Sequence, residues 1–252
     1  MKNPMDMTGR LVLVTGASSG IGQATSIFLA ELGCQVVLVA RNEERLQATR
    51  ARLPGDGHFV KVFDLSYLDR IETCMSEVVA AVGPLTGLVH CAGLHRTMPI
   101  RFEKPVAADP LWLINYFAAV SLVTAFRKPT IHSGNSSVVL VSSVMGLVGQ
   151  SGVSAYCGSK GALQSFSRAA ALELAREQIR VNCVAPGFVN AMISFENQNA
   201  LDKEQLKAIE NYHPLGLGKS QDVANAIAFL LADTGRWITG ATLVVDGGYT
   251  AH

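Results

Sequence analysis

Leu11-Val12-Leu13-Val14-Thr15 runs directly into Gly16-Ala17-Ser18-Ser19-Gly20-Ile21-Gly22, after which an Ala-rich stretch of helical length begins. The first five residues have the aliphatic and β-branched make-up of a strand covered on both faces. The glycines that follow mark a tight turn from that strand into a helix. Such a turn brings backbone N–H groups, and the positive end of the helix dipole, close to a pyrophosphate, and a Cβ at the glycine positions would block the approach. The spacing is GxxxGxG, a wider loop than the familiar GxGxxG, and the mechanism is the same. Tight strand-to-helix turns also need glycine for steric reasons alone, so it is the position in the first β-α unit that points to a dinucleotide.

The same rhythm continues outward from that turn. Short apolar runs at Gln35 to Ala40, His58 to Val62, Leu88 to Cys91, Ser137 to Val141, Arg180 to Ala185 and Thr242 to Val245 alternate with segments of helical length. This pattern predicts an α/β fold: a single-domain, doubly wound (Rossmann) parallel sheet of about seven strands with helices on both faces. The 252 residues, 49% of them apolar and 16% charged, fit one domain spanning 1–252 with a large core. Two stretches break the rhythm, Thr97 to Pro110 and Asn190 to Pro214. The second follows a strand late in the chain, where insertions shape the ligand crevice, and it is the expected substrate lid at about 190–214; an ordinary surface helix from Asp202 to Asn211 is the alternative.

A net charge of +1 with scattered Lys and Arg leaves no electrostatic footprint for nucleic acid or an anionic membrane, which favours a small-molecule substrate. The five cysteines, Cys34, Cys74, Cys91, Cys157 and Cys183, make no CxxC pair and no metal-spaced cluster. They read as reduced thiols, with no metal site expected, and together with the polar start of the chain they suggest a cytoplasmic protein. Leu111 to Phe126 is apolar but too short and too interrupted by Asn115, Ser121 and Thr124 for a membrane span, so a buried or interface helix is expected there.

The end of the second run bears on the cofactor. An acidic residue usually stands there to hold the adenosine ribose of NAD. Here Ala40 removes the carboxylate and Arg41 follows, a guanidinium suited to the 2′-phosphate of NADP. NADP(H) is therefore expected over NAD(H), against the plainer reading of a solvated arginine paired with Glu43 or Glu44.

The fifth run leads into Ser142-Ser143, and Tyr156-Cys157-Gly158-Ser159-Lys160 opens a later Ala-rich stretch. Tyrosine and lysine at i and i+4 share one helical face. A free tyrosine titrates near pH 10, and an ammonium one turn away, with the positive charge of an oxidised nicotinamide nearby, should lower that value by opposite-charge attraction. Tyr156 then becomes a usable general acid for a carbonyl oxygen, with Ser143 placed to hold that oxygen. Taken alone, such a pair is an ordinary surface-helix contact; the upstream serine, the glycine turn and Arg41 give it a chemical meaning.

These motifs together resemble the short-chain dehydrogenase/reductase family over essentially the whole chain. The markers stand at Thr15 to Gly22, Asp64-Leu65, Ala92-Gly93, Asn115, Ser143, Tyr156, Lys160, Pro186-Gly187 and Val245-Asp246-Gly247-Gly248. The resemblance implies an oxidoreductase acting on a ketone or secondary alcohol, with Ser143, Tyr156 and Lys160 as catalytic trio and Asn115 completing a proton relay. It implies cofactor contacts from Gly16, Ser18, Ser19, Gly20, Ile21, Gly22, Arg41, Asp64, Leu65, Ala92, Gly93, Tyr156, Lys160, Pro186, Gly187 and Val189, with Lys160 on the nicotinamide ribose. It also implies a homotetramer, or a homodimer, packed through the helices around Asn115 and Tyr156. Within the family the chain is most similar to 3-oxoacyl-acyl-carrier-protein reductases, so a carrier-bound substrate is one possibility, with Arg96, Arg101, Lys104, Arg127 and Lys128 as candidate carrier contacts. A cofactor-binding sensor or scaffold without catalysis is the alternative function.

Two departures stand out. The family's Asn-Asn-Ala-Gly is His90-Cys91-Ala92-Gly93 here, and His90 is expected to fill a buried polar post rather than bind a metal. Where a threonine hydroxyl is usual near the cofactor carboxamide, the chain has Ala191, which leaves that contact to the Val189 backbone or to Asn190.

Overall fold

A computed structural model of the chain describes residues 3–104, 106, 109–190 and 203–251. Strand β1 (Leu11–Thr15) is buried at every position, the outcome expected of five residues that are all but one aliphatic. It lies at the centre of one parallel sheet. On one side it pairs with β2 (Gln35–Ala40), which pairs with β3 (Phe59–Val62). On the other it pairs with β4 (Leu85–His90), and the sheet continues through β5 (His132–Val141), β6 (Ile179–Pro186) and β7 (Thr242–Val245). The seven strands run in the order β3-β2-β1-β4-β5-β6-β7. The order reverses between β1 and β4, and a crevice for ligand opens at the carboxyl ends of the strands at such a point.

Alternate residues of each strand feed two separate cores, as the two-residue strand period requires. Val12, Val14, Val36, Leu38, Val139 and Val184 pack under helices α1 (Gly20–Glu31) and, late in the chain, the helix Ser220–Leu231. Leu13, Val37, Leu88, Val138, Leu140 and Val181 pack on the opposite face under the helices Ile71–Val82, Ala118–Phe126 and Ser154–Leu174. Numbered along the chain, the helices are α2 (Glu43–Arg50), α3 (Ile71–Val82), α4 (Pro110–Trp112), α5 (Ala118–Phe126), α6 (Ser154–Leu174), α7 (Lys203–Asn211) and α8 (Ser220–Leu231). In β4, a Cβ on Gly87 would lie 3.0 Å from Val12 Cγ2 and 3.3 Å from Leu231 Cδ2, so α8 can sit this close only on a strand that is bare there.

The central strands match the expected runs, and the strand ends depart from them. β5 begins at His132 rather than Ser137, because the polar segment His132 to Ser136 joins the sheet through a register shift with Asn135 at φ 57°. β4 starts at Leu85 and stops at His90, and Cys91 falls outside it. His58 is not in β3; its ring lies buried, with Nδ1 accepting from Val36 N at 3.2 Å.

The apolar stretch after Asp109 is helical, as expected, but not uniformly so. Asp109 caps α4 by accepting from Leu111 N at 2.9 Å, a π-helical turn spans Leu113–Phe117, and α5 completes the helix with six buried residues. Such wide turns free a backbone carbonyl and are common at functional sites. Of the expected lid, Asn190 and α7 onward are described, and 191–202, which include Ala191 and Phe195, lie outside the described residues. No helix among the described residues is long and apolar enough to cross a membrane.

Candidate active site

The glycine turn is built as its sequence requires. Gly16 has φ +67°, and a Cβ there would lie 2.8 Å from Ala92 N; a Cβ on Gly22 would lie 2.3 Å from Gly16 O. The turn therefore packs backbone on backbone, and it brings Ala92-Gly93 against the first loop. Ser19 caps α1 without a side-chain hydrogen bond, and the first turn of α1 holds no acidic residue. The N–H groups and positive dipole end of that helix are thus left for a ligand, as a pyrophosphate needs. Arg41, at the end of β2, has a side chain 73% exposed and stands 4.0 Å from Asp64 beyond β3, and not on Glu43 or Glu44. Asp64 Oδ1 accepts from Ser66 N at 2.9 Å, which shapes the turn beside it. These residues fit a dinucleotide along the carboxyl ends of β1, β2 and β4.

Ser143 follows β5 and caps the short turn Val144–Gly146, accepting from Met145 N at 3.1 Å. Tyr156 and Lys160, one turn apart on α6, are both buried. The Ser143 side chain lies against the Tyr156 hydroxyl and draws its pKa down, so these residues meet as expected. Lys160 Nζ donates to Val141 O at 2.8 Å and lies 5.8 Å from the Tyr156 ring centroid.

The Lys160 ammonium by itself does not bring the Tyr156 pKa down. Burial pushes Tyr156 up to about 12, outweighing the opposing influence of the Ser143 side chain. Burial also pushes Lys160 down to about 8, with the Cys183 and Cys91 thiols opposing. The sequence argument counted the ammonium but not the water that both side chains lose, and Nζ is directed at Val141 O. In this environment Tyr156 is a neutral phenol, a proton donor.

Asn115 sits in the π-helical turn, fully buried. Its Oδ1 accepts from Leu94 N at 2.8 Å, and its Nδ2 donates to Leu94 O at 2.9 Å and to Ser159 Oγ at 3.1 Å. The side chain thus fastens the loop after Ala92-Gly93 to α6. His90 fills the buried polar post assigned to it. Burial, and then the charge of Lys160, push its imidazole down to about 3, so it is neutral. Nε2 donates to Ile114 O at 3.1 Å, and Nδ1 therefore accepts from the Thr15 hydroxyl at 2.9 Å. Thr15 Oγ1 in turn accepts from Ala92 N at 3.3 Å. Among the described residues, no group of His, Cys, Asp or Glu is gathered to hold a metal ion.

Pro186-Gly187 and the motif Val245-Asp246-Gly247-Gly248 are distant in sequence and touch in space: a Cβ on Gly187 would lie 2.9 Å from Asp246 Cα. Val189 is buried and makes a bridge with Gly218, which fixes the backbone leaving β6.

The five candidate carrier contacts do not make one patch, since Arg127 and Lys128 lie apart from Arg96, Arg101 and Lys104. Arg96 is held by Glu103 at 3.0 Å and Asp109 at 2.8 Å. Arg127 pairs with Glu177 and Lys128 with Glu72, near the entry to β5, the opposite end of the sheet from the loop carrying Arg96. Sequence reasoning missed His95, whose ring lies 4.8 Å from that of Tyr156 at 64°. A titratable residue two places after Gly93 was the available signal. It also missed the aromatic group of Phe188, Tyr212, His213 and Tyr249, because the three segments supplying it are far apart in the chain.

A family model described as Enoyl-(Acyl carrier protein) reductase matches residues 16–250. Glucose 1-dehydrogenase of Gluconobacter oxydans is 36% identical over 250 residues, covering 97% of this chain and 93% of that one. The 3-oxoacyl-[acyl-carrier-protein] reductase of Bos taurus is 36% identical over 241 residues, covering 95% and 97%. A solved dehydrogenase/reductase from Sinorhizobium meliloti 1021 superposes with a TM-score of 0.87 at 30% identity, covering 98% of this chain and 97% of that one. The family binds nicotinamide cofactors, and the glycine turn, the open end of α1 and the Ser143, Tyr156 and Lys160 cluster are the parts that such chemistry needs. The chain belongs to the short-chain dehydrogenase/reductase family and is an oxidoreductase of that kind.

Proposed function

We propose that the protein interconverts a ketone and a secondary alcohol using NADP(H), with Tyr156 as the proton donor or acceptor. The observation that carries this reading is that Tyr156 and Lys160, one helical turn apart and both buried, stand beside Ser143 in the crevice next to the glycine turn. A bound nicotinamide supplies or accepts the hydride at the substrate carbon. Gly16, Ser18, Ser19, Gly20, Ile21 and Gly22 would hold the pyrophosphate, and Asp64-Leu65, Ala92-Gly93, Pro186-Gly187 and Val189 would border the remainder. Arg41, exposed and without an acid at position 40, would take a 2′-phosphate, which favours NADP(H) over NAD(H).

In reduction, Tyr156 Oη gives its proton to the substrate oxygen while Ser143 Oγ donates to the same oxygen. The Lys160 ammonium steadies the phenolate that results, and Asn115 keeps the surrounding loop and helix in place. Burial keeps Tyr156 protonated far above neutral pH, which suits reduction. The bovine 3-oxoacyl reductase supports a carrier-bound substrate by similarity, but with Arg96 engaged by two carboxylates and Arg127 and Lys128 at the far end of the sheet, a free small-molecule ketone is the better reading. A homotetramer is the assembly that family resemblance favours.

The test is Tyr156→Phe. Turnover in an NADPH-oxidation screen over ketone classes should disappear while NADPH binding stays within about threefold, since one ring hydroxyl is lost. Retention of more than a few per cent of activity would remove Tyr156 from the proton-transfer role. Wild-type protein that binds NADPH and reduces no ketone would favour a sensor instead.

A further inference from the structure

We propose that His213 is a positioning residue for the nicotinamide end of the cofactor, acting through the backbone of Phe188 and Val189, which it ties to the last turn of α7. This role presupposes the reading above, in which the cofactor lies along the carboxyl ends of the strands with its reactive end at Tyr156. It adds what holds that end in place.

Phe188 and Val189 leave β6 beside the proton donor. The Phe188 side chain packs against the cluster of Leu111, Val144, Met145, Val153 and Tyr156. With the pyrophosphate at the glycine turn and the hydride exchanged next to Tyr156, the nicotinamide falls alongside this segment. The backbone there has an edge to offer. Gly218 N donates to Phe188 O at 3.0 Å and Asn190 N donates to Gly218 O at 2.9 Å, the two bonds of a parallel bridge centred on Val189. In a parallel pairing these bonds belong to the residues before and after the central one, so the Val189 N–H and C=O point away from Gly218. One donor and one acceptor side by side are what a carboxamide needs.

The bridge fixes the far side of the segment, and His213 fixes its start. The imidazole is 3% exposed and is engaged at both nitrogens. Nε2 accepts from Phe188 N at 3.2 Å, and Nδ1 donates to Ile209 O in α7 at 2.7 Å. Together these bonds require the neutral ring with its proton on Nδ1. The ring is held in turn: Tyr249 stacks on it at 4.8 Å, Phe188 meets it edge-on at 5.7 Å, and Gly216 N donates to the His213 carbonyl at 2.7 Å. A Cβ on Gly187 would lie 3.1 Å from Nε2, so the exit of β6 approaches the ring this closely only because residue 187 is bare. An apolar side chain of similar bulk could fill the space, but it would leave the Phe188 N–H without its partner and the segment less sharply placed.

The experiment compares, by titration calorimetry on the full chain, the binding of NADPH and of 2′-phospho-ADP-ribose, which lacks only the nicotinamide. His213→Phe keeps a ring and loses both hydrogen bonds; it should weaken NADPH about tenfold, one hydrogen bond's worth, and leave 2′-phospho-ADP-ribose within about twofold. His213→Gln, which keeps an acceptor for Phe188 N, should bring NADPH back to within about threefold of wild type. Equal weakening of both ligands, or of neither, overturns the positioning role. Amide hydrogen exchange on the wild type reads the same coupling without a variant: NADPH should slow exchange at Phe188 and Val189 about tenfold more than 2′-phospho-ADP-ribose does, and equal protection by the two overturns it. If the wild type binds NADH and ADP-ribose instead, and that pair shows the same pattern, the NADP(H) reading fails and the role of His213 stands. If the pattern holds but no ketone is reduced, the reaction assignment fails and the role of His213 again stands.

Discussion

Replacing Lys160 by methionine should abolish activity and make the protein more stable at neutral pH. Methionine matches the length and volume of the lysine stem and carries no charge. The ammonium lies in a buried site that pushes its pKa from 10.5 to about 8, which corresponds to about 3 kcal/mol disfavouring the charged form in the fold. Methionine removes that cost but leaves Val141 O without its 2.8 Å donor, a loss of about 1–2 kcal/mol. The net gain is about 1–2 kcal/mol, or about 3–6 °C in Tm for a chain of this size. The pH dependence carries the sharper signature. Because the folded-state value is lowered, the wild-type penalty is complete below pH 8 and fades as pH rises from 8 toward 10.5. Between pH 6.5 and 9.5 the advantage of Lys160→Met should therefore shrink by about 2 kcal/mol. Urea denaturation of both proteins without cofactor, at one protomer concentration, measures the difference at each pH. A variant less stable than wild type at pH 6.5, or a gap that does not narrow with pH, would refute the reasoning that burial dominates this lysine.

Three further outcomes follow from the same geometry. Arg41→Asp should lower the NADPH-to-NADH ratio of kcat/KM by about a hundredfold, the loss of charge-assisted hydrogen bonds plus a new repulsion, and an unchanged ratio would place the guanidinium outside the cofactor site. His90, pushed down from 6.5 to about 3, stays neutral in the fold while the unfolded chain takes up a proton, so its contribution to stability is lost as pH falls from 6.5 toward 3. His90→Asn should flatten that decline by about 3 kcal/mol at pH 4.5, read as a shallower loss of circular dichroism midpoint with pH; parallel curves would show that the imidazole is not held neutral. Gly22→Ala places a Cβ against Gly16 O, whose backbone cannot yield cheaply, and should destabilise by about 3 kcal/mol and weaken NADPH binding at least about tenfold by calorimetry.

The sequence disclosed most where one local pattern decides the outcome. The turn from Thr15 to Gly22, the apolar middles of the five central strands and the Tyr156 to Lys160 spacing each follow from a short period or from a steric requirement, and each is found where expected. The strand ends were not legible. His132 to Ser136 reads as polar loop, and it joins β5 only because Asn135 adopts a left-handed conformation that lets the register shift beside Leu85. The burial of the charged groups at the site was not legible for a different reason. Spacing shows that Tyr156 and Lys160 are neighbours, but not that both lose their water, and desolvation is the largest influence on each.

What joins these pieces is a run of hydrogen bonds between segments that are remote in the chain. Thr15, the last residue before the glycine turn, donates to His90; His90 donates to the Ile114 carbonyl in the π-helical turn. The next residue, Asn115, binds Leu94 on both its backbone groups and reaches Ser159 on α6, between Tyr156 and Lys160. The cofactor turn, the proton-donating helix and the loop bearing His95 are therefore positioned by one network of buried and half-buried hydrogen bonds. A histidine at position 90 can serve in that network only while it is neutral, with one nitrogen donating and the other accepting, because a doubly protonated ring would turn the Thr15 contact from acceptor to donor. The depressed pKa of His90 is thus a condition for the site geometry, and acid should loosen all three segments together rather than one at a time.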